Sequence, residues 1–538
     1  MLQIRNTSKY NYVKVFVRKC FEICSVLGAV AIFIVILLLI ATFVLKSTGN
    51  VQIIYIERNK PYLSKTNSKF LSIGLDTSVI AEDFYNFNTT DVKLQKMVKY
   101  LQPAYLRIGG NLADKLVFNP NLKEVDKHVK RFYRGISHIY NFLDLRSLPN
   151  YVMTGTQWLE LTKFAQQTNM EVLFDLNSLR RFDNGSWDYT NAESLIKFSN
   201  KHSLKLNWEL GNEPNSFRHK FNQEVNATQM AKDFAVLRHI LRKYETYKNS
   251  LLVGPDTTRP RVKHQESKIY LQDFLQNAAN VIDAITWHQY YINGRTAKAE
   301  DFLNPIVFDY LKKQIDTVKN ITKDLDIQNK PIWLGETSSA YGGGAPNLSN
   351  TFIGTFMWVD KLGLSAKMGI NVVVRQSIFK GYYALLDDDY NPNPDWWISI
   401  IYKKLIGMRV VPNYTSCSPK VRLYCHCTKK SAFPSLQPSV TVFGVNMDKA
   451  TAHVRIEGLL PLNMEAKSLS TVYAFELTSD TLMCSKGVRL NGKLLKMSKD
   501  NNLPELVPKT VDARSFVTMP PFSVVFWVIP APRVNACL

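Results

Sequence analysis

Eight short apolar runs separated by longer amphipathic stretches constrain the fold of this chain more than any other feature. The runs span residues 70–75, 104–108, 171–176, 204–210, 250–253, 284–288, 331–334 and 371–374. Helical spacing of apolar residues recurs between them, over 156–167, 192–201, 231–243, 269–280 and 307–323. Strand and helix alternating across roughly 340 residues predict a (β/α)8 barrel, here residues 66–406, with its active site at the C-terminal ends of the strands. Beyond residue 407 the helical pattern stops. Runs at 421–424, 439–445, 452–456, 470–475 and 522–529 read instead as a β-sandwich. Residues 51–56 have the same character, so 51–62 and 407–538 are assigned together to that module. A chain of 538 residues has room for one large barrel and a smaller domain. Residues 119–154 carry charge, Pro120, Pro149 and the basic pair Lys130-Arg131 but no clear strand, which marks an insert or linker in the barrel.

The first segment has another logic. Residues 23–45 contain no charge, and at ~1.5 Å per residue they are long enough to cross a bilayer. Arg5, Lys9, Lys14, Arg18 and Lys19 precede them, which keeps residues 1–22 in the cytosol. The expectation is a transmembrane signal anchor with the remaining chain in the lumen or outside the cell; cleavage after the apolar run, giving a secreted protein, is the alternative. Both place the chain in the secretory pathway, a lysosome or the cell surface. Cysteine usage agrees, since none lies between Lys46 and Ser416 and five fall in the last quarter. Six sequons, at Asn88, Asn184, Asn226, Asn320, Asn347 and Asn413, suit a glycoprotein. Net charge is +22, and setting aside residues 1–46, with six basic side chains and one acid, leaves +17. So large an excess favours a polyanion. In a lumenal setting that means a sulfated or carboxylated polysaccharide rather than nucleic acid.

Two carboxylates carry the chemistry. Asn212-Glu213-Pro214-Asn215 closes the apolar run 204–211, and Glu336 closes the run 331–335. Each sits where a buried strand gives way to a loop rich in glycine, serine and asparagine. A pair of acids in such settings is what double-displacement glycoside hydrolysis requires: one protonates the leaving oxygen and the other attacks the anomeric carbon. His288, at the end of the sixth run, either positions the nucleophile or is a satisfied core histidine.

The stretches Trp208–Phe217 and Trp333–Pro346 strongly resemble the heparanase family, animal endo-β-glucuronidases that cut heparan sulfate. Ala104–Arg107, Asn293–Thr296 with Glu300–Pro305, and Trp358–Ala366 extend the likeness, which spans about 66–118 and 155–538. The resemblance implies a retaining enzyme hydrolysing internal glucuronosyl linkages of heparan sulfate, with Glu213 as proton donor and Glu336 as nucleophile and with no metal or organic cofactor. It places Asn212 against the sugar 2-hydroxyl and Tyr341-Gly342-Gly343 around the uronate carboxylate, where glycines let backbone N–H groups approach an anion. Asp76, Gln376 and Tyr383 match further subsite positions, although Thr77, Ser78 and Asn111 depart from the family pattern. Arg259, Arg261, Lys263 and Arg295 match a basic rim around the cleft. The family's second basic cluster is missing near residues 151–157, with Arg180 and Arg181 as its nearest substitutes. Cys427 and Cys537 match paired cysteines, leaving Cys417, Cys425 and Cys484 without assigned partners. The family's linker is excised; the insert here is shorter and offers only Lys130-Arg131 to a protease. Two rival readings remain, an exo-acting β-glucuronidase and a heparan-sulfate-binding protein without catalysis.

Overall fold

A computed structural model describes residue 15 and residues 51–136, 144–261, 265–459, 471–512, 516–531 and 533–538. The chain divides into two compact units, 1–52 and 53–538, and the second holds the barrel. The anchor expected at 23–45 lies outside the described residues; among those described, no helix is long and apolar enough to cross a membrane.

Eight parallel strands form one sheet: β1 Leu71–Asp76, β2 Ala104–Gly109, β3 Met170–Leu176, β4 Leu206–Leu210, β5 Val253–Thr257, β6 Ala284–Asn293, β7 Ile332–Tyr341 and β8 Val372–Arg375. Their order is β4-β3-β2-β1-β8-β7-β6-β5. The sheet closes where Trp208 of β4 meets Leu252 beside β5, the Trp208 N–H donating to Leu251 O at 2.9 Å. Helices follow the strands, and several start on sequence-encoded caps. Thr154 and Gln157 form a capping box for Gly155–Gln167, and Asn226 accepts from Gln229 N to begin Ala227–Arg242.

Side-chain alternation within the strands sets the contents of the barrel. Tyr105, Leu173, Val253, Ala284, Trp333, Val372 and Val374 make an apolar cluster, in which Tyr105 stacks on Trp333 with ring centroids 5.0 Å apart. Period two then puts Arg107, two residues after Tyr105, and Asp175, two after Leu173, on the same face one step nearer the C-terminal end. An apolar lower layer therefore supports a charged upper one.

Strands β6 and β7 run past their sequence-based limits. Glu336 was expected in a loop and His288 at a strand end, yet both lie inside ten-residue strands. Trp287 pairs with Leu334 but His288 pairs with Glu336, so Gly335 is the extra residue of a β-bulge that re-aims Glu336. Glycine is required there, because a Cβ at 335 would come within 2.5 Å of Asp256 Oδ1.

Residues 119–136 and 144–154 hold more regular structure than their composition predicts. Tyr151–Thr154 pairs in parallel with Leu116–Asn119, and Lys127–Ile136 is a helix. Buried Tyr133 anchors that helix through its hydroxyl to Pro149 O, and Lys130 pairs with Asp83. A four-residue strand flowing directly into a helix gave the sequence no separate strand signal.

Two antiparallel sheets follow the barrel. One contains Ile406–Val410, Val421–Thr428, Ser439–Asn446, Ser523–Pro530 and Thr471–Ser479; the other joins Asn413–Ser416, Val51–Ile56, Ala452–Glu457 and Val517–Met519. Their facing side chains, among them Ile54, Val442, Val454, Met519 and Trp527, form one core. A disulfide joins Cys427 to Cys537 and ties the chain end to this module. Cys417, Cys425 and Cys484 are free thiols.

Candidate active site

Arg107 organises the upper barrel. Its side chain is 1 % exposed and reaches four carboxylates: Nε to Glu209 Oε2 at 2.7 Å, Nη1 to Glu336 Oε2 at 2.8 Å, and Nη2 to Asp256 and Asp175 at 3.5 and 3.7 Å. Nη2 also donates to Asn212 Oδ1 at 3.1 Å. One guanidinium cannot neutralise this many buried acids. Burial, reinforced by neighbouring carboxylates, pushes Asp175 and Glu209 well above the usual carboxylate range, against the opposing pull of Arg107.

Glu336 accepts a second hydrogen bond, from the Tyr290 hydroxyl at 2.6 Å, and is thereby held through both oxygens. Glu213 is set by the turn after β4. Gly211, with φ +79°, leaves no room for a side chain beside Ser178, and Glu213 itself adopts φ +58°. A non-glycine residue in the left-handed region costs of order 1 kcal/mol, and it turns the carboxyl into the barrel mouth. His288 Nδ1 lies 3.1 Å from Glu213 Oε1 and 4.0 Å from Glu336 Oε1, so the two acids face one imidazole nitrogen. On the far side, His288 Nε2 is 3.3 Å from Asp256 Oδ1. Burial opposes the imidazolium, but Glu336, Asp256 and Glu213 outweigh it and raise His288 to about 9.

Lys220, from the short helix Phe217–Phe221, pairs with Glu213 Oε2 and donates to Asn111 Oδ1 at 2.6 Å. Burial would lift the Glu213 carboxyl; Lys220 and His288 reverse this and hold it well below the usual range. Asn212 is fixed at three points: its N–H donates to Asp114, its Oδ1 accepts from Arg107, and its Nδ2 donates to Asn111.

These groups open into a cavity of about 740 Å³. Asp76, Asn212, Glu213, Arg259, Arg261, Arg295, Glu336, Tyr341, Gly342, Gly343, Gln376 and Tyr383 all line it, so the residues singled out in sequence converge there. Lys263 lies outside the described residues. Gly342 and Gly343 have φ of +78° and +88°, and no side chain stands there between an anion and the backbone. Arg259 donates to Tyr290 O and lies over the Tyr341 ring, 5.3 Å from its centroid. Arg180 and Arg181 line no part of the cavity; they pair with Asp188 and Asp233. Five sequon asparagines are exposed, whereas Asn413 is buried and donates to Val411 O, which leaves its nitrogen unsuited to carry a glycan in the fold.

Sequence reasoning gave no role to Arg107, Lys220, Asp256 or Tyr290. A lone arginine in the run 104–108 was a usable signal. Lys220, on a five-residue helix after the catalytic loop, left none.

A (β/α)8 barrel with two carboxylates facing each other at its C-terminal mouth defines a glycoside hydrolase. Residues 76–363 match the family model described as glycosyl hydrolase family 79, N-terminal domain. The chain belongs to that family. It is 36% identical to bovine heparanase over 87% of its own length and 90% of the relative's. It is 31% identical to the human protein named inactive heparanase-2, over 88% and 87%. Among solved structures, a 4-O-α-L-rhamnosyl-β-D-glucuronidase from Fusarium oxysporum superposes with a TM-score of 0.62 at 13% identity, covering 88% of this chain and 99% of that one. At that identity the likeness concerns the fold.

Proposed function

We propose that the protein is a retaining endo-β-glucuronidase that hydrolyses internal glucuronosyl linkages of heparan sulfate. Convergence of Glu213 and Glu336 on His288 Nδ1 carries this reading, because it holds their nearest oxygens within about 7 Å, compatible with the ~5–5.5 Å between carboxyl groups of retaining enzymes. Glu336 is the nucleophile. Arg107 and Tyr290 fix both its oxygens, so one lone pair is aimed at the anomeric carbon without reorganisation. Its attack forms the glycosyl-enzyme bond as the C1–O bond breaks, and Glu213 gives a proton to the departing oxygen. Glu213 then takes a proton from the water that releases the sugar. Asn212, held by Arg107 and Asp114, is oriented for the 2-hydroxyl. The glycines after Tyr341 receive the uronate carboxylate, and Arg259, Arg261 and Arg295 line the approach of an anionic chain. Incubation with heparan sulfate followed by fragment sizing tests the reading. Mid-sized fragments are expected, and an unchanged polymer overturns it.

A second reading, exo-action, rests on one observation. Asp144, Leu145 and Arg146 of the insert are part of the cavity wall. Release of single sugars from polymer ends, with a small aryl glucuronide turned over at least as well, would favour it. A binder without catalysis has no chemical use for two acids converging on one imidazole.

We also propose that residues 23–45 anchor the protein with its barrel facing the lumen or cell exterior. Alkaline carbonate extraction of membranes tests this, and quantitative release of the barrel into the soluble fraction would refute it.

A further inference from the structure

Glu213, assigned above as the proton donor, must hold a proton at the moment of bond breaking. The cations flanking its carboxyl work against that. Oε1 faces His288, and Oε2 is paired with Lys220. His288 is shared with Asp256 and Glu336 and sits inside the barrel, 1 % exposed. Lys220 comes from a different element, lines the open cavity together with Asn111, and is 14 % exposed, so a bound molecule can reach it.

We propose that Lys220 is a charge gate on Glu213, drawn off by a sulfate or carboxylate of the sugar on the leaving-group side, so that Glu213 gains its catalytic proton only when an anionic leaving group is bound. This rests on the catalytic reading above. The side follows from geometry. A proton donor must stand beside the glycosidic oxygen, which departs with the aglycone. Oε1 is turned inward to His288 and the nucleophile, and Lys220 occupies the opposite oxygen. An anion that reaches the Lys220 ammonium therefore belongs to the departing sugar.

Charge and protons balance. Lys220 keeps its protons and neutralises the ligand's anion. The Glu213 carboxylate, having lost that partner, takes one proton from solvent. The same proton passes to the glycosidic oxygen as Glu336 bonds to C1 and the C1–O bond breaks. The other groups around the gate do not replace Lys220. Asn111 is neutral, and Asp114 is buried, accepts from Asn212 and Ser178, and is raised to about 6 by burial. Arg259 is engaged with Tyr290 O. From the insert, Asp144 and Arg146 pair with each other. His219, Asp76, Arg261 and Arg295 also line the cavity, and none of them is paired with Glu213.

Isothermal calorimetry of the intact protein at pH 6–7, in buffers of different ionisation enthalpy, measures protons taken up on binding. The probe is a sulfated oligosaccharide with sulfur in place of the scissile oxygen, paired with a counterpart desulfated on the leaving-group sugar. Uptake approaching one proton is expected with the sulfated probe and none with its counterpart. Lys220→Met should abolish the uptake, Lys220→Arg should keep it, and Glu213→Gln should lose it. In turnover, Lys220→Met should erase the preference for a sulfated leaving group, by about tenfold for each unit of proton affinity no longer regained. Equal uptake with both probes, or uptake that persists in Lys220→Met or Glu213→Gln, overturns the gate. So does failure of the sulfated probe to bind. Wild-type cleavage of heparan sulfate by Glu213→Gln would instead sink the catalytic assignment, which separates the two failures.

Discussion

Arg107 Nη1 donates to Glu336 Oε2 at 2.8 Å across 229 positions of sequence, joining β2 to β7 inside the barrel. The same guanidinium holds Glu209 and approaches Asp175 and Asp256, so one cation is shared by four acids beneath the cleft.

Removing it should therefore cost both fold and function. Arg107→Met leaves buried acids without their counter-ion, and breaking a buried network of this kind costs about 3–5 kcal/mol. Urea unfolding should show that loss, and turnover should fall with it because Glu336 loses one of its two orienting bonds. Stability within 1 kcal/mol of wild type would contradict this role.

Glu336→Ala should abolish cleavage of both heparan sulfate and aryl glucuronides, since no glycosyl-enzyme can form. Glu213→Ala should damage polymer cleavage far more than formation of the glycosyl-enzyme from an activated aryl glucuronide. A good leaving group needs little protonation, so the expected gap is 10²-fold or more. Burst kinetics on the two substrates give the comparison.

The exposed rim arginines should act on capture rather than chemistry. Arg261→Glu with Arg295→Glu should raise the KM for heparan sulfate and flatten its salt dependence, while kcat on a small aryl glucuronide stays within about threefold. A large loss of kcat on the small substrate would place these residues in the chemistry instead.

Two buried histidines predict how stability responds to pH. Burial lowers His426 to about 4. The unfolded chain binds that proton below ~6.5, so stability falls as pH drops from ~6.5 toward ~4, by up to about 3 kcal/mol. His288, raised to about 9, behaves oppositely. Its contribution is complete below ~6.5 and fades as pH rises through ~9. Chemical denaturation at several pH values should show a maximum between these limits. His426→Gln should relieve the acid-side loss and His288→Gln the alkaline-side loss.

Cys427→Ser with Cys537→Ser opens a covalent loop of 110 residues. The free chain regains its closure entropy, and the protein should lose roughly 2–5 kcal/mol. Reducing and non-reducing thermal melts of the wild type should differ in the same direction.

The sequence by itself determined the barrel and the β-module, because apolar runs of period two and helical stripes of period 3.6 are local properties of a chain. It also marked Glu213 and Glu336, each by the apolar run that precedes it, although Glu336 proved to lie within its strand. Only the tertiary structure decided which charges surround them. Arg107, Asp175, Glu209, Asp256 and Glu336 lie on separate strands, and barrel closure alone brings them to one height. The bulge at Gly335 is a matter of register between β6 and β7, which neither strand specifies alone. Lys220 is seven residues from Glu213, yet its place over the carboxylate depends on the left-handed turn at Glu213 and on Asn111 from another loop. Periodicity is written residue by residue along the chain; the electrostatics of the site arise from through-space distances, and those exist only once the barrel has closed.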